Sequence, residues 1–522
     1  MEIPVFRHTI SFFRELITQD IEKIAHFIKY DPTIAYLILR EVNKPCTDKE
    51  ITNFIQITNY LGTSKIEQII LERDSFLDDE DLQIWIYSIL SAEIASAISN
   101  NFTNIAQDEA FFAGLLPSLG MLFMLNEFPR YRSIIHFLIK LPIEDRVYIE
   151  EKIFGTSHIE TLQRNILCPA LFRNTVNILN KIFLKDGQKD IKSPVPLKGS
   201  TLQQSYDLAL LSDLATYGTQ TLMFPSVVDN RELYLELAKR YFLIKESVAI
   251  EVLQNAMDNF IDIATQFKVV DEIRFSTETF YELKKFKFET KNSMFEKALK
   301  QLFEENAKEK NIFIYGEGAV GKRLLAAALH TSDTNPRKDK PFIMIFCDVD
   351  SSTLEEEFFG IKDGYLGKKG KKGVLKRAEG GTLVLKEFDS MPKEFQEKLQ
   401  KAIQDKKFYS IGEVTPAELK DVRFILIGKH DIRIKIAKEE LSSSLLKLLN
   451  PFFFKIPPLR ERREDVFYIA GEIIKKYNLN IIEDKLKEPA IIQKLETDPF
   501  PNNLRDLKRF LFLLYIQKLL NS

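Results

Sequence analysis

The segment Gly316-Glu317-Gly318-Ala319-Val320-Gly321-Lys322 has the composition and spacing of a loop that closes on phosphate groups. Glycines let backbone N–H groups curl around phosphate oxygens, and a lysine opening the next helix reaches the β- and γ-phosphates. The next position, where a Ser or Thr hydroxyl commonly ligates magnesium, is Arg323. Metal chemistry in the first half finds less support. His8, His26, His136 and His158 are scattered with no i, i+4 pair, whereas a hydrolytic metal centre needs several imidazole and carboxylate ligands together. His26 falls in an amphipathic helix and reads as structural. Cys46, Cys168 and Cys347 lie far apart with no CxxC, which argues against a disulfide framework or zinc knuckle and fits a reducing cytoplasm.

A phosphate loop needs a strand before it and a helix after it, and the second half of the chain supplies both. From about residue 290, short β-rich runs (NIFIY, PFIMIF, GTLVL, RFILIG) alternate with polar helical segments, the βαβ grammar of a parallel sheet. Up to about residue 270 the chain reads instead as helix after helix. Asp31-Pro32 is an acidic N-cap with proline at the first helical position. The run behind it, TIAYLILREVNK, puts Ile34, Leu37, Ile38 and Val42 on one face. Trp85, Ser88, Ala92 and Ala95 continue a helical pattern whose small residues let another helix come close. The most apolar stretch, 110–125, carries Pro117, Ser118 and Gly120 and reads as two buried helix ends around a turn, short of the ~20 residues that span a bilayer. Residues 186–200 read as an exposed loop, 246–267 as a closing helix and 268–291 as a charged connector with strand character.

At 522 residues the chain exceeds one core, and 45% hydrophobic with 28% charged residues describes packed domains rather than a disordered chain. A net charge of -2 gives no global attraction to nucleic acid or acidic membrane. The first residues, with Glu2 and no basic stretch leading into an apolar core, do not read as a signal peptide. A cytoplasmic protein without a membrane span is expected.

Three segments of the first half occur in a telling order: DPTIAYLILREVNKP (31–45) with Asn43, ITNYLGTSKIEQIIL (57–71) with Leu61 and Gly62, and DEAFFAGLLPSLGMLFM (108–124). They resemble the DPxL…LLRxANS helix, the "LG" helix pair and the AFxAGLLHDIGxL element of the HDOD family, over about residues 8–265. That family is related to HD-domain phosphohydrolases but lacks their metal ligands, and Pro117-Ser118 stands here where an HD enzyme carries His-Asp. The resemblance implies a binding and signalling module that works through protein partners, without a structural metal.

The second half resembles the AAA+ domain of bacterial enhancer-binding activators of sigma-54 RNA polymerase. EEFFGIKDGYLG (356–367), GVLKRAEGGTLVLKEFDSMP (373–392), IPPLRERREDV (456–466) and FPNNLRDL (500–507) follow that family's order over about 290–520. The implied architecture is multidomain: an all-α HDOD-like helical domain (1–267), a connector (268–291), an α/β AAA+ P-loop core (292–455) and a small helical lid (456–522). It implies an ATP or ADP site at Gly316, Glu317, Gly318, Ala319, Val320, Gly321, Lys322 and Arg323, with Lys386 and the sensor-II residue Arg505 beside it. The family already tolerates a residue without a hydroxyl at position 323.

Departures from the family carry the functional reading. Its Walker B Asp-Glu pair is Lys386-Glu387, so Glu387 is a residual catalytic acid while the magnesium-ordering carboxylate is replaced by an ammonium. Two positive charges ~4 Å apart repel by about 4 kcal/mol at an effective dielectric near 20, so a role for magnesium is doubtful. The arginine-finger positions fall on Ser442 and Leu448, with Lys447 adjacent, and such fingers are worth ~10³ to 10⁵ in rate. The sensor position falls near Lys429, and the sigma-54-gripping GAFTGA becomes Gly364-Tyr365-Leu366-Gly367-Lys368-Lys369. That Gly/Lys-rich tip reads first as a solvated loop, with an anionic partner as the alternative. No DNA-binding domain is expected between the sensor-II helix and Ser522.

Three readings follow. The first is a non-catalytic signalling scaffold that acts through protein partners and responds to nucleotide, Lys386 taking magnesium's place. The second is an ATP-hydrolysing activator of sigma-54-dependent transcription, which keeps Lys322, Glu387 and Arg505. The third, a metal phosphodiesterase in the first half, lacks the ligands it would need; the glycine turn itself also has a reading in which the fold alone keeps it, with no ligand. AAA+ domains form rings, so self-association is compatible with each.

Overall fold

The computed structural model describes residues 4–16, 21–44, 51–71, 76–77, 81–166, 169–183, 201–224, 228–269, 287–348, 351–363, 365, 371–429 and 432–521. The expected loop at 186–200, most of the 268–291 connector, Cys46, Cys168 and most of the Gly364–Lys369 tip lie outside them. The chain divides into two compact units, residues 1–280 with 519–522, and residues 281–518.

Among its described residues the first unit is helical, apart from a two-residue parallel pairing of Val5–Phe6 with Phe76–Leu77. Asp31 caps helix α1 (Pro32–Val42) by accepting hydrogen bonds from the backbone N–H of Thr33 (2.9 Å) and Ile34 (3.0 Å). Every residue from Pro32 to Leu39 is buried, so the face expected to carry Ile34, Leu37 and Ile38 belongs to a core helix whose other sides are covered as well. The "LG" segment is a helical run, α2 (Phe54–Leu71), broken at Gly62, whose φ of 71° and ψ of 165° leave the helical region.

Helices α3 (Leu82–Phe102) and α4 (Gln107–Glu127) form the centre of this unit. The two-ends-and-a-turn reading of 110–125 is wrong: α4 runs unbroken for 21 residues with Pro117 inside it. Burial of the whole stretch from Ala110 to Met124 outweighs the local cost of proline. Both helices are long and apolar enough to cross a membrane by length and composition, yet 89% and 83% of their apolar windows are buried in the fold. Their close approach runs through Gly114, where an added Cβ would lie 2.5 Å from the Ser91 carbonyl oxygen and 2.6 Å from the Cα of Ala92. The small residues anticipated around Ala92 therefore serve this crossing.

Beside α4, helix α5 (Ile143–Phe154) and helix α6 (His158–Asn165) carry a sealed polar network. Glu150 accepts from the Tyr131 hydroxyl (2.5 Å) and the His158 backbone N–H (2.8 Å), and its Oε2 lies 2.6 Å from His158 Nδ1. Burial works to raise Glu150's pKa, but the His158 imidazole beside it brings the carboxyl below its usual value. His158 is thus engaged by a carboxylate, and no group of three metal-ligating side chains occurs among the described residues. Helix α7 (Thr201–Met223) and the closing helix α8 (Glu246–Gln266) pack on α3.

The second unit is built on five parallel strands, β1 (Ile312–Tyr315), β2 (Phe342–Phe346), β3 (Thr382–Lys386), β4 (Arg423–Gly428) and β5 (Phe452–Lys455), in the order β5-β1-β4-β3-β2. The four strand runs named from sequence all appear, and β5 adds the PFFFK run that sequence reading passed over. Apolar side chains cover both faces. Val384, Ile425, Ile312 and Ile314 face a core with Leu299 and Leu302 of helix α9 (Ser293–Ala307) and Leu325 and Leu329 of helix α10 (Lys322–His330). Leu383, Leu385, Phe313 and Leu426 face the opposite core with Phe395 and Leu399. Beyond the sheet lie helix α11 (Ser443–Leu449), helix α12 (Asp465–Tyr477) and helix α13 (Leu504–Asn521).

Candidate functional site

In-register pairing of Gly428 with Tyr315 and of Ile427 with Lys386 brings the carboxyl ends of β1, β3 and β4 to one edge. In open α/β sheets this edge is where ligands bind. The loop from Gly316 to Gly321 leaves β1 here and delivers the chain to the N-terminus of α10, with Gly321 at its cap. Gly316 (φ 148°) and Gly321 (φ 102°) occupy backbone regions that L side chains rarely adopt, and a Cβ on Gly316 would lie 2.6 Å from the Ile456 carbonyl oxygen. Ala319 is also left-handed (φ 55°), while Val320 is buried in the core below the loop.

Lys322 Nζ donates to the carbonyl oxygens of Gly316 (2.6 Å) and Glu317 (2.7 Å), closing the loop on itself. Burial pulls its pKa below the usual lysine value, with Glu387 and Asp389 opposing. The same ammonium is therefore within electrostatic reach of both carboxylates. Arg323 lies half-buried in the first turn of α10.

Lys386 ends β3, is 8% exposed, and holds its Nζ 3.6 Å from the centroid of the Phe346 ring, its in-register neighbour on β2. Glu387 follows in a left-handed conformation (φ 51°), with Oε2 3.4 Å from Lys429 Nζ. The residual acid is thus paired with an ammonium from the sensor position. Asp389, 5% exposed, accepts from the Lys429 backbone N–H through Oδ2 (3.1 Å) and fastens the end of β4 to the turn after β3.

A collar of residues from the chain's last segment holds the loop, and sequence reading had quoted their motifs without assigning them a role. Asn503 donates to the Gly318 carbonyl (3.0 Å) and to Glu317 Oε2 (3.1 Å), and accepts from the Leu459 backbone N–H (2.7 Å). Arg460 pairs with Glu317 through both terminal nitrogens, and these bonds, with that from Asn503, hold Glu317's pKa down to about 2. Arg462 donates to the Val320 carbonyl (2.8 Å) and faces Asp465 at 3.4 Å. Arg505 stands one residue after Leu504, whose backbone N–H donates to the Ala319 carbonyl (3.2 Å), so its backbone adjoins the loop. Ser442 is spent as the N-cap of α11, accepting from the Leu445 N–H, and Leu448 is exposed on that helix. Of the GAFTGA-like tip, Tyr365 is described, lying against Gly412.

The loop fits a nucleotide's phosphates: glycines where a Cβ would clash, backbone N–H groups at a helix start, and a lysine at hand. The residues fit magnesium poorly. That cation takes oxygen ligands in near-octahedral geometry, and positions 323 and 386 present a guanidinium and an ammonium.

Comparison with known proteins agrees with this architecture. Residues 288–455 match the Sigma-54 interaction domain and residues 3–163 match the HDOD domain. The HDOD match ends well before residue 265, so α7 and α8 lie outside it. The chain is 32% identical to a Nif-specific regulatory protein of Herbaspirillum seropedicae over 212 residues, covering 40% of this chain and 39% of that one. It is 34% identical to the response regulator protein PilR of Pseudomonas aeruginosa over 205 residues, covering 38% and 45%. The chain thus spans about two fifths of the length of these relatives. Among solved structures, NtrX from Brucella abortus in complex with ADP is similar at 21% identity and a TM-score of 0.40, covering 59% of this chain and 70% of that one. The chain therefore carries an N-terminal HDOD domain joined to a C-terminal AAA+ domain of the sigma-54 activator family.

Proposed function

We propose that this chain is a cytoplasmic regulatory protein whose AAA+ domain binds ATP or ADP without hydrolysing it and presents a nucleotide-responsive surface to protein partners. Its HDOD-like signalling domain occupies 1–267 and its AAA+ core and lid 292–455 and 456–522, joined by the 268–291 connector. The observation that carries the reading is the state of the hydrolytic residues. Glu387 is paired with the Lys429 ammonium at 3.4 Å, and the position that would order magnesium is Lys386. A carboxylate held against a cation is less free to orient an attacking water, and the absent fingers at Ser442 and Leu448 remove a further large rate factor. Lys322, Lys386 and Lys429 supply positive charge at the sheet edge, which suits a polyphosphate without its metal.

The second reading, an ATP-hydrolysing activator of sigma-54-dependent transcription, is supported by the matched domain, by relatives with regulatory names, and by the retained Lys322, Glu387 and Arg505. Phosphate release from ATP and magnesium, measured on the full chain beside Lys322→Ala, separates the two. The scaffold reading expects equal rates in both proteins. Turnover that depends on Lys322 would overturn it.

A further inference from the structure

The chain reaches helix α9 through residues 287–292, the end of the 268–291 connector and the cap behind it, and this short strap is tied to helix α12. Thr290 Oγ1 lies 2.8 Å from both carboxylate oxygens of Asp465, and the Lys291 backbone N–H donates to Asp465 Oδ1. Asn292 caps α9 by accepting from the Phe295 N–H (2.9 Å), and its Nδ2 donates to Glu464 Oε2 (3.0 Å). Further out, the Tyr468 hydroxyl donates to Glu289 Oε2 (2.8 Å), and the Tyr468 ring lies 4.8 Å from Lys291 Nζ. Asp465 is fully buried, so the strap's hydroxyl and N–H stand where water would otherwise satisfy the carboxylate.

Asp465 also joins this strap to the phosphate loop. Its Oδ2 lies 3.4 Å from Arg462 Nη1, and Arg462 Nη2 donates to the Val320 carbonyl (2.8 Å). A second contact runs beside the first: a Phe288 ring carbon lies 3.0 Å from where a Cβ on Gly321 would stand. Phe288 packs on the core below the loop, its ring centroid 6.2 Å from that of Phe295. Deepening the reading of the loop as a nucleotide site, on which it rests, we infer that the strap is a control point for that site. Docked on α12, it keeps the loop in shape for phosphate; drawn off by the connector, it slackens the loop and lowers affinity. The hydrogen bonds give the reason. A buried carboxylate that loses the strap's donors keeps Arg462 as its charged partner, and it draws the guanidinium away from the neutral Val320 carbonyl, the weaker acceptor. Thr290 and Asp465 are thus positioning residues that act through Arg462. Such coupling is reciprocal, so nucleotide in the loop holds the strap on the lid.

The test is hydrogen exchange read by mass spectrometry on the full chain, with Thr290→Val, Thr290→Ser and Tyr468→Phe beside wild type, first without ligand and then with ATP. Valine keeps the shape of threonine and loses its hydroxyl, so exchange over 287–296 should accelerate about tenfold, as for loss of a hydrogen bond to a charged group. In the same ligand-free sample the loop peptide 312–330 should accelerate about threefold or more, and affinity for ATP should fall by a similar factor. Thr290→Ser, which keeps the hydroxyl, should match wild type. Tyr468→Phe, which loosens the strap away from Asp465, should leave loop exchange within about twofold. An unchanged loop in Thr290→Val would overturn the inference, as would a loop opened equally by Tyr468→Phe. The ligand-free arms do not depend on nucleotide. Absence of ATP binding to wild type therefore overturns the nucleotide reading, with the strap's hold on the loop still decided by those arms. Equal ATP affinity in wild type and Thr290→Val overturns the control point alone.

Discussion

Replacing Asn503 with alanine is expected to open the phosphate loop while leaving the HDOD unit untouched. Asn503 is 1% exposed, and the substitution removes its two donated bonds to the Glu317–Gly318 segment and the bond it accepts from Leu459. Two lost hydrogen bonds cost about 1 kcal/mol each, and the Leu459 N–H left buried without an acceptor adds roughly 1–3 kcal/mol. Asn503 also sits at φ 52°, where alanine is less tolerant than asparagine. The sum is about 3–5 kcal/mol, which in hydrogen exchange is a hundredfold or larger acceleration for amides that open with the loop, at about tenfold per 1.4 kcal/mol. The assay is exchange read by mass spectrometry on peptides covering 312–330. Trp85, the one tryptophan in the chain, lies buried in the first unit, so a urea titration followed by its fluorescence serves as an internal control. Its midpoint should not move. Exchange within about threefold of wild type across 312–330 would refute the assignment of Asn503 as the tie between lid and loop.

Other outcomes follow from the same contacts. Glu317's pKa is lowered to about 2 by Arg460 and Asn503, so its contact with the lid stabilises the protein above the ordinary carboxylate range and is lost as pH falls from about 4.5 towards 2. The stability difference between wild type and Glu317→Gln should therefore be constant above pH 5 and vanish near pH 2; a difference that persists there would contradict the pairing. In the first unit, Glu150→Gln leaves the buried His158 without its carboxylate and should cost about 3 kcal/mol, read as a lower urea midpoint in Trp85 fluorescence. A loss under about 1 kcal/mol would mean the network contributes little to this fold.

What the sequence disclosed, it disclosed through local pattern. The Asp31 cap, the break at Gly62 and the strand–loop–helix around Lys322 each depend on neighbours within a few residues, and each is where the motif puts it. Pro117 misled because proline was read as a breaker, whereas burial on all sides of α4 holds the helix through it. The collar around the loop was beyond reach for a different reason. Asn503 and Arg460 meet Glu317 across 186 and 143 residues of chain, and no periodicity links such positions. Likewise the exchange of carboxylate for ammonium at 386 was legible, but not that Phe346 receives the ammonium or that Lys429 takes Glu387. Those follow from which strands lie side by side and in what register, which no local pattern along the chain gives.

The most direct test of the account is calorimetric titration of ATP into the full chain, once with magnesium and once with EDTA, beside Lys322→Ala. The account predicts binding of similar affinity in both buffers and its loss in the variant. Binding that vanishes in EDTA would contradict the metal-free site, and no binding in either buffer would make the loop a turn kept for the fold.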